Sequence, residues 1–537
     1  MSNDLADRPP AAMPAEPTSV AQPVRTGRNA LAGLLGAATA LMIIEVITLF
    51  DATGRSLTET VQNRFIEDFA GSLKETAISL FGTNDKAALQ IGTAVVVLAL
   101  GAFLGAVAGR RRRAVLVGFV AFAVLGIVIA LDDPIASPAV AVVAALFGAA
   151  FGVAATLMLE RLWNGEGPLI VTSETVHRSG VAREVSRRNV LTGGGAVALA
   201  LVAGTAAARA ARASYRTTAT AVRRVLPKPV RRVATPTTQP FDVAGISPYV
   251  TPTADFYRID TAVPAPVVDA ASWSLKITGM VDRDLTITYD DLLKRDLVEV
   301  PITIQCVSNE VGGDLIGTAR WIGVPLAELL QEAGVQEGAT QIMGESIDDF
   351  TAGFPVEAGT DGRDSLLAVG MNGKALTTEH GFPARLIIPG LYGYVSATKW
   401  ITEIRLTTFE AEQGYWVPLG WSADGPIKVQ SRIDVPRSGE SVPAGKQAVG
   451  GVAWAPHTGI KGVEVKVDDG AWGKAELGTV ASVDTWVQWR YEWDARPGDH
   501  RIAVRAIAAD GKVQTAALAM PAPDGATGHH TISVRVG

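Results

Sequence analysis

The residue with the widest chemical repertoire in this chain is Cys306, the one cysteine among 537 residues. It follows an alternating run in which Val298, Val300, Ile302 and Ile304 share one face, a pattern that predicts a buried β-strand. A lone cysteine forms no intrachain disulfide. Two interpretations remain at this point: a small, inert, buried side chain, or a thiolate that acts as a metal ligand or nucleophile.

Basic residues and glycines recur in the predicted loops of the same half of the chain. Arg258, His380, Arg385 and Lys399 are expected at strand ends or turns. Nearby glycines would let backbone amides approach a ligand closely. These are Gly381, Gly390 and Gly393. Any one of these residues is typical of a solvated or structural position, but together they have the groups that bind an anionic cofactor.

The N-terminal half has the composition of a membrane protein. The chain is 48% hydrophobic, and five apolar segments near its start are each long enough for a helix to cross a bilayer. They are residues 30–50, 88–108, 114–131, 136–159 and 190–208. A proline-rich stretch at residues 1–28 is expected to be disordered and cytoplasmic, and residues 29–212 form the predicted transmembrane region.

Arginines set the expected orientation of these segments. They cluster before the first segment, between the second and third, and between the fourth and fifth, so the N-terminus is expected in the cytoplasm and the C-terminal half outside the cell membrane. The motif at residues 186–191, Ser-Arg-Arg-Asn-Val-Leu, resembles a twin-arginine export signal. The alternative is two ordinary positive-inside arginines. Export would make sense if the C-terminal half must fold around a cofactor before it crosses.

The predicted spans contain few groups that could do chemistry. None of the six histidines lies in a span, so a haem held between helices is not expected. Glu45 is the one acid well inside a predicted span. It could mark an ion path, although an acid that snorkels outward or bonds to a neighbouring helix is the preferred interpretation. The expected role of the region is that of an anchor.

The C-terminal half reads as a linker and two soluble domains. Residues 213–245, rich in Pro, Thr and Arg, are the expected linker. Residues 246–425 mix strands, short helices and glycine-bearing loops, which predicts an α+β domain with an amphipathic helix at 325–333. Residues 426–537 contain short strands separated by turns, which predicts a β-sandwich. The predicted fold class is therefore multidomain, with about five transmembrane helices before the two soluble domains.

A series of short motifs spans residues 245–537 in a fixed order. They are Tyr249-Val-Thr-Pro, Phe256-Tyr-Arg, Thr303-Ile-Gln-Cys-Val-Ser-Asn, Gly317-Thr-Ala-Arg-Trp-Ile-Gly, Met371-Asn-Gly-Lys-Ala-Leu, His380-Gly-Phe-Pro-Ala-Arg, Pro389-Gly, Lys399-Trp and Val429-Gln-Ser. This order resembles the sulfite oxidase family of molybdenum-cofactor enzymes. The resemblance implies a sulfite-oxidase-type molybdopterin-binding domain, followed by an immunoglobulin-like dimerisation domain.

The resemblance also implies a cofactor and roles for individual residues. Cys306 would be the thiolate ligand of a molybdenum held by molybdopterin, a soft ligand on a redox metal. The implied cofactor-binding residues are Phe256, Tyr257, Arg258, Cys306, Asp348, His380, Arg385, Ala397, Thr398 and Lys399. Cys306, Arg258 and Tyr415 are the implied catalytic residues, with Tyr415 as hydrogen-bond donor or proton shuttle. The implied reaction is oxygen-atom transfer.

Two departures from the family pattern bear on the substrate. Glu310 and Val311 occupy positions where sulfite oxidases usually have arginines, one of which helps bind sulfite. Through an effective dielectric of about 20, one charge pair at about 4 Å amounts to roughly 4 kcal/mol, so an added anion works against a dianionic substrate. Ile259 and Asp260 replace a family Asn-His pair, which removes another polar pair.

The sequence therefore predicts a membrane-anchored molybdenum-cofactor oxidoreductase acting on a small sulfur- or nitrogen-containing substrate, sulfite oxidase-like but different from a typical sulfite oxidase. The alternative is a catalytically inactive, membrane-tethered binding or assembly module that keeps the fold. No haem-binding domain is recognisable, so an external electron-transfer partner is expected. A homodimer through residues 447–537 would follow the family habit, and nucleic acid is not an expected partner.

Overall fold

The structure is a computed structural model that describes residues 22–51, 55–65, 85–108, 112–164, 187–221, 225–236, 241–262 and 265–537. The N-terminal part is a bundle of apolar helices. The C-terminal part consists of four β-sheets with short helices between the strands. Of the stretch predicted to be disordered, residues 1–28, the first 21 lie outside the described residues, whereas residues 22–28 form the start of a helix, so the prediction was wrong there.

The bundle is built from helices that begin at Gln22. They are α1 (Gln22–Ile47), α2 (57–65), α3 (Asp85–Ala108), α4 (Arg112–Leu131), α5 (Pro138–Asn164) and α6 (Arg187–Ala221). By length and composition, four stretches could cross a membrane: Thr26–Asp51, Arg112–Leu131, Pro138–Trp163 and Gly194–Arg212. The remaining predicted span, 88–108, contains a shorter apolar helix at Ile91–Val107. Within the described residues, four helices are therefore long and apolar enough to span a membrane, and the predicted number of five is not confirmed.

Small residues allow helix α1 to pack closely in the bundle. A Cβ atom added to Gly33 would lie 2.1 Å from the carbonyl oxygen of Gly101, and one added to Gly105 would lie 2.1 Å from that of Asn29. Only glycine lets the backbones of α1 and α3 come this close. On the α5 side, a Cβ on Gly36 would overlap the Thr156 hydroxyl. Helix α1 is therefore fixed between α3 and α5 by close backbone approach.

Ion pairs join one end of the bundle. Glu45 Oε1 accepts hydrogen bonds from the Thr58 hydroxyl at 2.7 Å and from Arg209 Nη2 at 3.2 Å. Arg55 Nη1 donates to both carboxylate oxygens of Asp133, at 3.1 and 3.0 Å. Glu45 on α1 is thus bonded to α2 and α6, as the preferred interpretation of this buried acid expected.

The predicted start of the linker differs from the structure. Residues 213–221 continue helix α6 instead of starting a linker, because the alanine-rich run extends past residue 212. Farther on, β1 (Arg231–Arg232) pairs in parallel with the strand that leads to Cys306. Arg232 also forms an ion pair with Glu299 of that strand. The side chains of the twin-arginine-like motif at 186–191 lie outside the described residues.

The α+β domain contains two mixed sheets with a shared apolar core. The first has the order β1, β4 (Val298–Gln305), β5 (Ile316–Pro325), β8 (Leu366–Met371) and β10 (Arg385–Ile387), with β9 (Lys374–Ala375) beside β8. The second has the order β3 (Leu285–Thr288), β2 (Ser274–Gly279), β11 (Ile401–Thr407), β6 (Gln341–Ser346) and β7 (Thr351–Pro355). The short helices are α7 (Tyr289–Leu293), α8 (Leu326–Ala333), α9 (Glu357–Thr360) and α10 (Gly393–Ser396).

Helix α8 shows how the pattern of apolar residues produces this domain. Leu326, Leu329 and Leu330 are buried on one face, as the predicted helix at 325–333 requires. The helix ends at Gly334, whose φ of 72° lies in the left-handed region that favours glycine. The predicted α+β organisation is confirmed in this respect.

Strand β4 is buried on both faces, although its sequence alternates between apolar and other residues. Its apolar face joins the core of the α+β domain. Its other face meets the C-terminal domain: the Thr303 hydroxyl accepts from the Trp486 backbone N–H at 2.8 Å, and Trp454 Nε1 donates to Gln305 Oε1 at 2.8 Å. Thr303 and Gln305 on this face are therefore hydrogen-bonded across the contact between the two domains.

The C-terminal domain is a sandwich of two sheets. One has the order β12 (Gln430–Val435), β14 (Gly445–Trp454), β18 (Val487–Ala495) and β17 (Glu476–Leu477). The other has the order β13 (Ser441–Val442), β20 (His530–Val536), β19 (Gly498–Ala508), β15 (Ile460–Val467) and β16 (Gly473–Lys474). Buried Val449, Trp489, Val465 and Val504 meet between the sheets, so the predicted β-sandwich is present. Its immunoglobulin-like character stays a prediction.

Replacing Leu329 by alanine tests the α8 packing. Leu329 is fully buried, so Leu329→Ala should lower the free energy of unfolding by about 2–5 kcal/mol. Gln331→Ala, on the exposed face of the same helix, is the matched control and should change it by less than about 0.5 kcal/mol. Chemical denaturation monitored by tryptophan fluorescence would measure both. Equal effects of the two substitutions would contradict the packing described for α8.

Candidate active site

Cys306 lies in a tight loop directly after strand β4. Its backbone N–H donates to the Leu315 carbonyl at 2.9 Å, and its carbonyl accepts from the Asn309 N–H at 3.1 Å. The Asn309 side-chain oxygen closes the same loop by accepting from the Leu315 N–H at 2.8 Å. The Cys306 residue is 7% exposed. The thiol is therefore held by a short, internally bonded loop at the end of a doubly buried strand.

Two tyrosines lie within electrostatic reach of this thiol. Burial raises the pKa of Tyr257, and the negative charge that Cys306 carries as a thiolate raises it further. Burial likewise raises the pKa of Tyr392 to about 12, with smaller contributions from Asp524 and Cys306. Both phenols therefore keep their protons at neutral pH. Sequence reasoning missed Tyr392; its only signal was a position between two glycines at 390 and 393.

Arg385 provides a buried positive charge beside this group. Its Nη1 donates to the His380 carbonyl at 3.3 Å, and its Nη2 donates to the Ala397 carbonyl at 3.2 Å. The guanidinium lies 5.2 Å from the ring centroid of Trp321. Burial lowers the pKa of Arg385 to about 10, while Tyr257 and Asp260 oppose that shift, so Arg385 stays charged at neutral pH.

His380 is neutral in this environment. Burial lowers its pKa to about 4, and the positive charges of Arg385 and Lys399 add to the shift. Nε2 lies 3.1 Å from the Thr253 carbonyl, which can only accept, so Nε2 carries the proton. His380 therefore adds a polar imidazole to the site but no charge at neutral pH.

Lys399 contributes a second buried positive charge, which is already paired. Its Nζ donates to Asp260 Oδ2 at 2.7 Å and to the Glu379 carbonyl at 3.1 Å. It also lies 4.7 Å from the ring centroid of Trp400. The departure at Asp260 was expected to remove a polar pair. Instead, Asp260 forms a new ion pair, because the fold brings its carboxylate to Lys399.

Gly381 allows Arg385 and Lys399 to approach each other. Its φ of 100° lies in the left-handed region, and an added Cβ would meet the aliphatic parts of both side chains at 3.1 Å. A larger residue would therefore strain the backbone and push the two cations apart. The close approach observed at Gly381 is to these two side chains, and the predicted approach of its backbone amide to a ligand stays a prediction.

Several buried polar atoms around these residues have no hydrogen-bond partner within the described part of the chain. They are Asn309 Nδ2, Ser346 Oγ, Asp348 Oδ1, Thr378 Oγ1 and Arg385 Nε. The second carboxylate oxygen of Asp348 accepts from the Thr261 hydroxyl at 3.4 Å. Because buried polar atoms are normally paired, this mixture of donors and acceptors fits a polar, anionic ligand with its own hydrogen-bond donors.

Aromatic packing forms one wall of the site. Phe256 is buried and makes edge contacts with Trp321 and His380, at centroid distances of 5.7 and 5.8 Å. It stacks on Tyr257 at 5.2 Å. The predicted segment Phe256–Tyr257 therefore lies against His380 and the tryptophan that faces Arg385.

The remaining predicted site residues differ in burial and in the residues they contact. The side chain of Thr398 is buried, with its hydroxyl 3.5 Å from the Gly344 carbonyl, whereas Ala397 offers its carbonyl to Arg385. Arg258 is exposed. Tyr415 contacts Phe350 and Trp416 through its ring. The structure thus groups five of the predicted site residues: Cys306, Tyr257, Arg385, His380 and Lys399. Arg258 is exposed instead, and Tyr415 packs against other aromatic rings.

The loop after Cys306 borders the C-terminal domain. A Cβ added to Gly312 would lie 2.4 Å from the His530 ring. One added to Gly528 would lie 2.5 Å from Leu518 and 3.5 Å from Val311. Leu518 is 81% exposed, and Glu310 is exposed beside Val311. This rim therefore has apolar side chains and the acidic Glu310, whereas the nearby Arg432, whose Nη1 donates to the Gly313 carbonyl at 2.7 Å, is paired with Asp434.

The lowered pKa of His380 predicts a pH-dependent stability. Its folded-state pKa of about 4 lies below the ordinary 6.5, so the unfolded chain binds more protons between these values. Above about pH 6.5 the neutral His380 does not lower the free energy of unfolding. As the pH falls from there toward 4, His380 lowers it progressively. Between about pH 7.5 and 4.5, wild type should lose about 2–3 kcal/mol more unfolding free energy than His380→Gln, whose amide can still donate to Thr253. Denaturant unfolding at both pH values measures this. Identical losses in both proteins would rule out a buried neutral His380.

Comparisons with known proteins agree with this arrangement. The family model described as "Oxidoreductase molybdopterin binding domain" matches residues 262–416. Mitochondrial sulfite oxidase of Rattus norvegicus is 29% identical over 274 residues, covering 43% of this chain and 49% of the rat protein. Sulfite oxidase of Arabidopsis thaliana is 28% identical over 300 residues, covering 45% and 76% respectively. Nitrate reductase [NADH] of Solanum lycopersicum is 32% identical over 179 residues, covering 28% and 20%.

The matches cover only part of each protein. The chain spans about half the length of the mammalian sulfite oxidases that it matches. Among solved structures, the sulfane dehydrogenase SoxCD from Paracoccus pantotrophus aligns with a TM-score of 0.46 and 22% identity, covering 56% of this chain and 88% of that chain. At residues 262–416 this chain therefore carries a domain that matches the molybdopterin-binding oxidoreductase family model, and this half of the chain is similar in sequence to sulfite oxidases.

Proposed function

We propose that this protein is a membrane-anchored molybdenum-cofactor oxidoreductase that transfers an oxygen atom to or from a small, uncharged sulfur- or nitrogen-containing substrate. The observation that carries the proposal is the buried thiol of Cys306, together with the buried cations Arg385 and Lys399 and buried polar atoms that lack hydrogen-bond partners within the described residues; these residues form the proposed cofactor pocket. An inert packing role for Cys306 would not explain the unpartnered Nδ2 of Asn309 in the same loop.

The residues of the pocket fit the cofactor that the family implies. Cys306 would ligate the molybdenum, and Arg385 Nε is a buried cationic donor suited to the cofactor phosphate. Asp348 Oδ1 is an acceptor suited to N–H groups of the pterin. When bound, the cofactor supplies two-electron redox chemistry and oxygen-atom transfer.

Tyr257 and Tyr392 are the proposed proton donors near Cys306, because the charge of this residue contributes to the raised pKa of both phenols. Reduction of an S-oxide to a thioether releases the oxygen as water and consumes two protons and two electrons. Because their pKa values are raised, both phenols are protonated and can donate hydrogen bonds toward a substrate oxygen near Cys306. We therefore propose them as hydrogen-bond donors in addition to Tyr415. The electrons come from an external partner.

The rim of the site favours an uncharged substrate. Glu310 adds a negative charge, and Val311 and Leu518 present apolar surface beside the Cys306 loop. A doubly charged anion such as sulfite is repelled by Glu310 and gains nothing from Val311. An uncharged S-oxide is not repelled by Glu310 and does not need a cation at position 311, so methionine sulfoxide is the preferred test substrate.

The cellular setting is part of the proposal. The apolar helices of the N-terminal half would anchor the chain in the cell membrane, with the N-terminus in the cytoplasm and the site outside. The β-sandwich at residues 426–537 would provide the surface for a homodimer. The twin-arginine-like motif at 186–191 would direct export of the folded, cofactor-loaded half.

Cys306→Ser tests metal binding directly. After expression with cofactor synthesis intact, wild type should hold about one molybdenum per chain, and the variant less than about a tenth of that, because a hydroxyl is a poor ligand for a soft metal. Elemental analysis of detergent-purified protein measures this, with circular dichroism as the control for folding. A wild-type protein without molybdenum would favour the inactive binding or assembly module instead.

Substituting Glu310 and Val311 tests the substrate. Wild type should reduce methionine sulfoxide with a reduced dye more readily than it oxidises sulfite. The pair Glu310→Gln and Val311→Arg should shift the ratio of the two kcat/KM values toward sulfite by at least about tenfold, because it removes one anion and adds one cation. Val311→Met, which adds bulk without charge, is the matched control. An unchanged ratio would refute the charge-based account of substrate choice.

A further inference from the structure

The Asp260–Lys399 pair is a buried ion pair within the proposed cofactor pocket. The two side chains are 9% and 8% exposed, and Nζ lies 2.7 Å from Oδ2. A buried ammonium without a counter-ion is strongly destabilising, whereas one held by a carboxylate and a backbone carbonyl is tolerated. Asp260 therefore lets Lys399 stay in the pocket of the cofactor-free protein.

Asp260 also belongs to a segment that crosses the pocket. This segment, residues 256–262, is held at its start by Phe256, which packs on Trp321 and His380. Arg258 and Ile259 are exposed in its middle. Near its end, Asp260 binds Lys399, and the Thr261 hydroxyl reaches Asp348. The adjacent residues Asp260 and Thr261 thus join the segment to two of the predicted cofactor-binding side chains.

The charges in the pocket leave little net attraction for a phosphate while this pair is intact. His380 is uncharged at neutral pH, and Lys399 is balanced by Asp260. Arg385 remains as the cation whose Nε has no hydrogen-bond partner within the described residues. A phosphomonoester that entered beside Lys399 would meet the Asp260 carboxylate, and the two anions would repel each other.

We propose that Asp260 is an internal counter-ion that occupies Lys399 in the cofactor-free protein, and that the phosphomonoester of the pterin cofactor displaces it on loading. The inference deepens the proposed function and rests on it. Lys399 then exchanges one anion for another without ever being buried alone. The same exchange lowers the affinity for the cofactor, because the phosphate must compete with a carboxylate that is part of the chain.

The test compares Asp260→Asn with wild type as full-length protein in detergent. Each is purified from a host that makes the cofactor and from one that does not. Loaded Asp260→Asn should release its pterin about tenfold more slowly than wild type, measured by the fluorescence of pterin in the filtrate, because the competing anion is gone. The cofactor-free variant should unfold at a lower temperature than cofactor-free wild type, because Lys399 has lost its counter-ion.

Two controls make the result specific. Asp434→Asn removes a similar buried pair in the β-sandwich, where Arg432 Nε donates to Asp434 Oδ1 at 2.7 Å, and should lower stability without slowing pterin release. Asp260→Ser serves if Asp260→Asn misfolds. Unchanged or faster pterin release from both Asp260 variants would overturn the proposal, since Asp260 would then be neutral or would help to retain the cofactor. If wild type and Asp434→Asn bind no pterin in the cofactor-making host, the proposed function itself fails.

Discussion

Much of the architecture around the site depends on keeping two cations, Arg385 and Lys399, out of water. Each is stabilised by backbone carbonyls and by an aromatic face: Arg385 by the His380 and Ala397 carbonyls and Trp321, and Lys399 by the Glu379 carbonyl and Trp400. Both therefore require the turn at residues 377–381 to present its carbonyls inward. Gly381 makes this possible, because a side chain there would meet both cations.

The thiol is positioned by a different constraint, the burial of strand β4 on both faces. Its apolar face belongs to the core of the α+β domain, whereas its polar face is bonded to the β-sandwich. Gln305, the residue before Cys306, accepts from Trp454 Nε1 and donates from its Nε2 to Gln430. The position of Cys306 consequently depends on both domains. A change at the domain interface can therefore alter the chemistry of the site without touching it.

Departures from the family pattern have different consequences at different depths. Glu310 and Val311 lie at the rim, where a change in charge affects which substrate approaches and leaves the fold intact. Asp260 lies in the pocket, where a new carboxylate must find a partner, and it finds Lys399. Glu45 in the bundle follows the same rule, since its buried carboxylate is paired with Arg209 and Thr58. A charged side chain at a buried position thus forms ion pairs or hydrogen bonds that become part of the structure.

The sequence by itself determined many of the secondary-structure elements and predicted the residues of the site. Apolar periodicity identified β4, helix α8 and the long apolar helices, because burial of one face depends on spacing alone. The basic residues and glycines indicated an anionic ligand, and the order of the short motifs resembled the sulfite oxidase family, a resemblance that implied a molybdenum cofactor. Local pattern also misplaced boundaries, since a helix that continues through alanines, like the end of α6 at Ala221, lacks a stop signal near residue 212.

Only the tertiary structure decided which side chains meet. The pairing of Asp260 with Lys399 joins residues that are 139 positions apart in the chain. The electrostatic effect of Cys306 on the pKa of Tyr392, the lowered pKa of His380 and the burial of β4 on its polar face also arise from long-range contacts. Charge state and partner depend on desolvation and on neighbours distant in the chain, which no local pattern encodes.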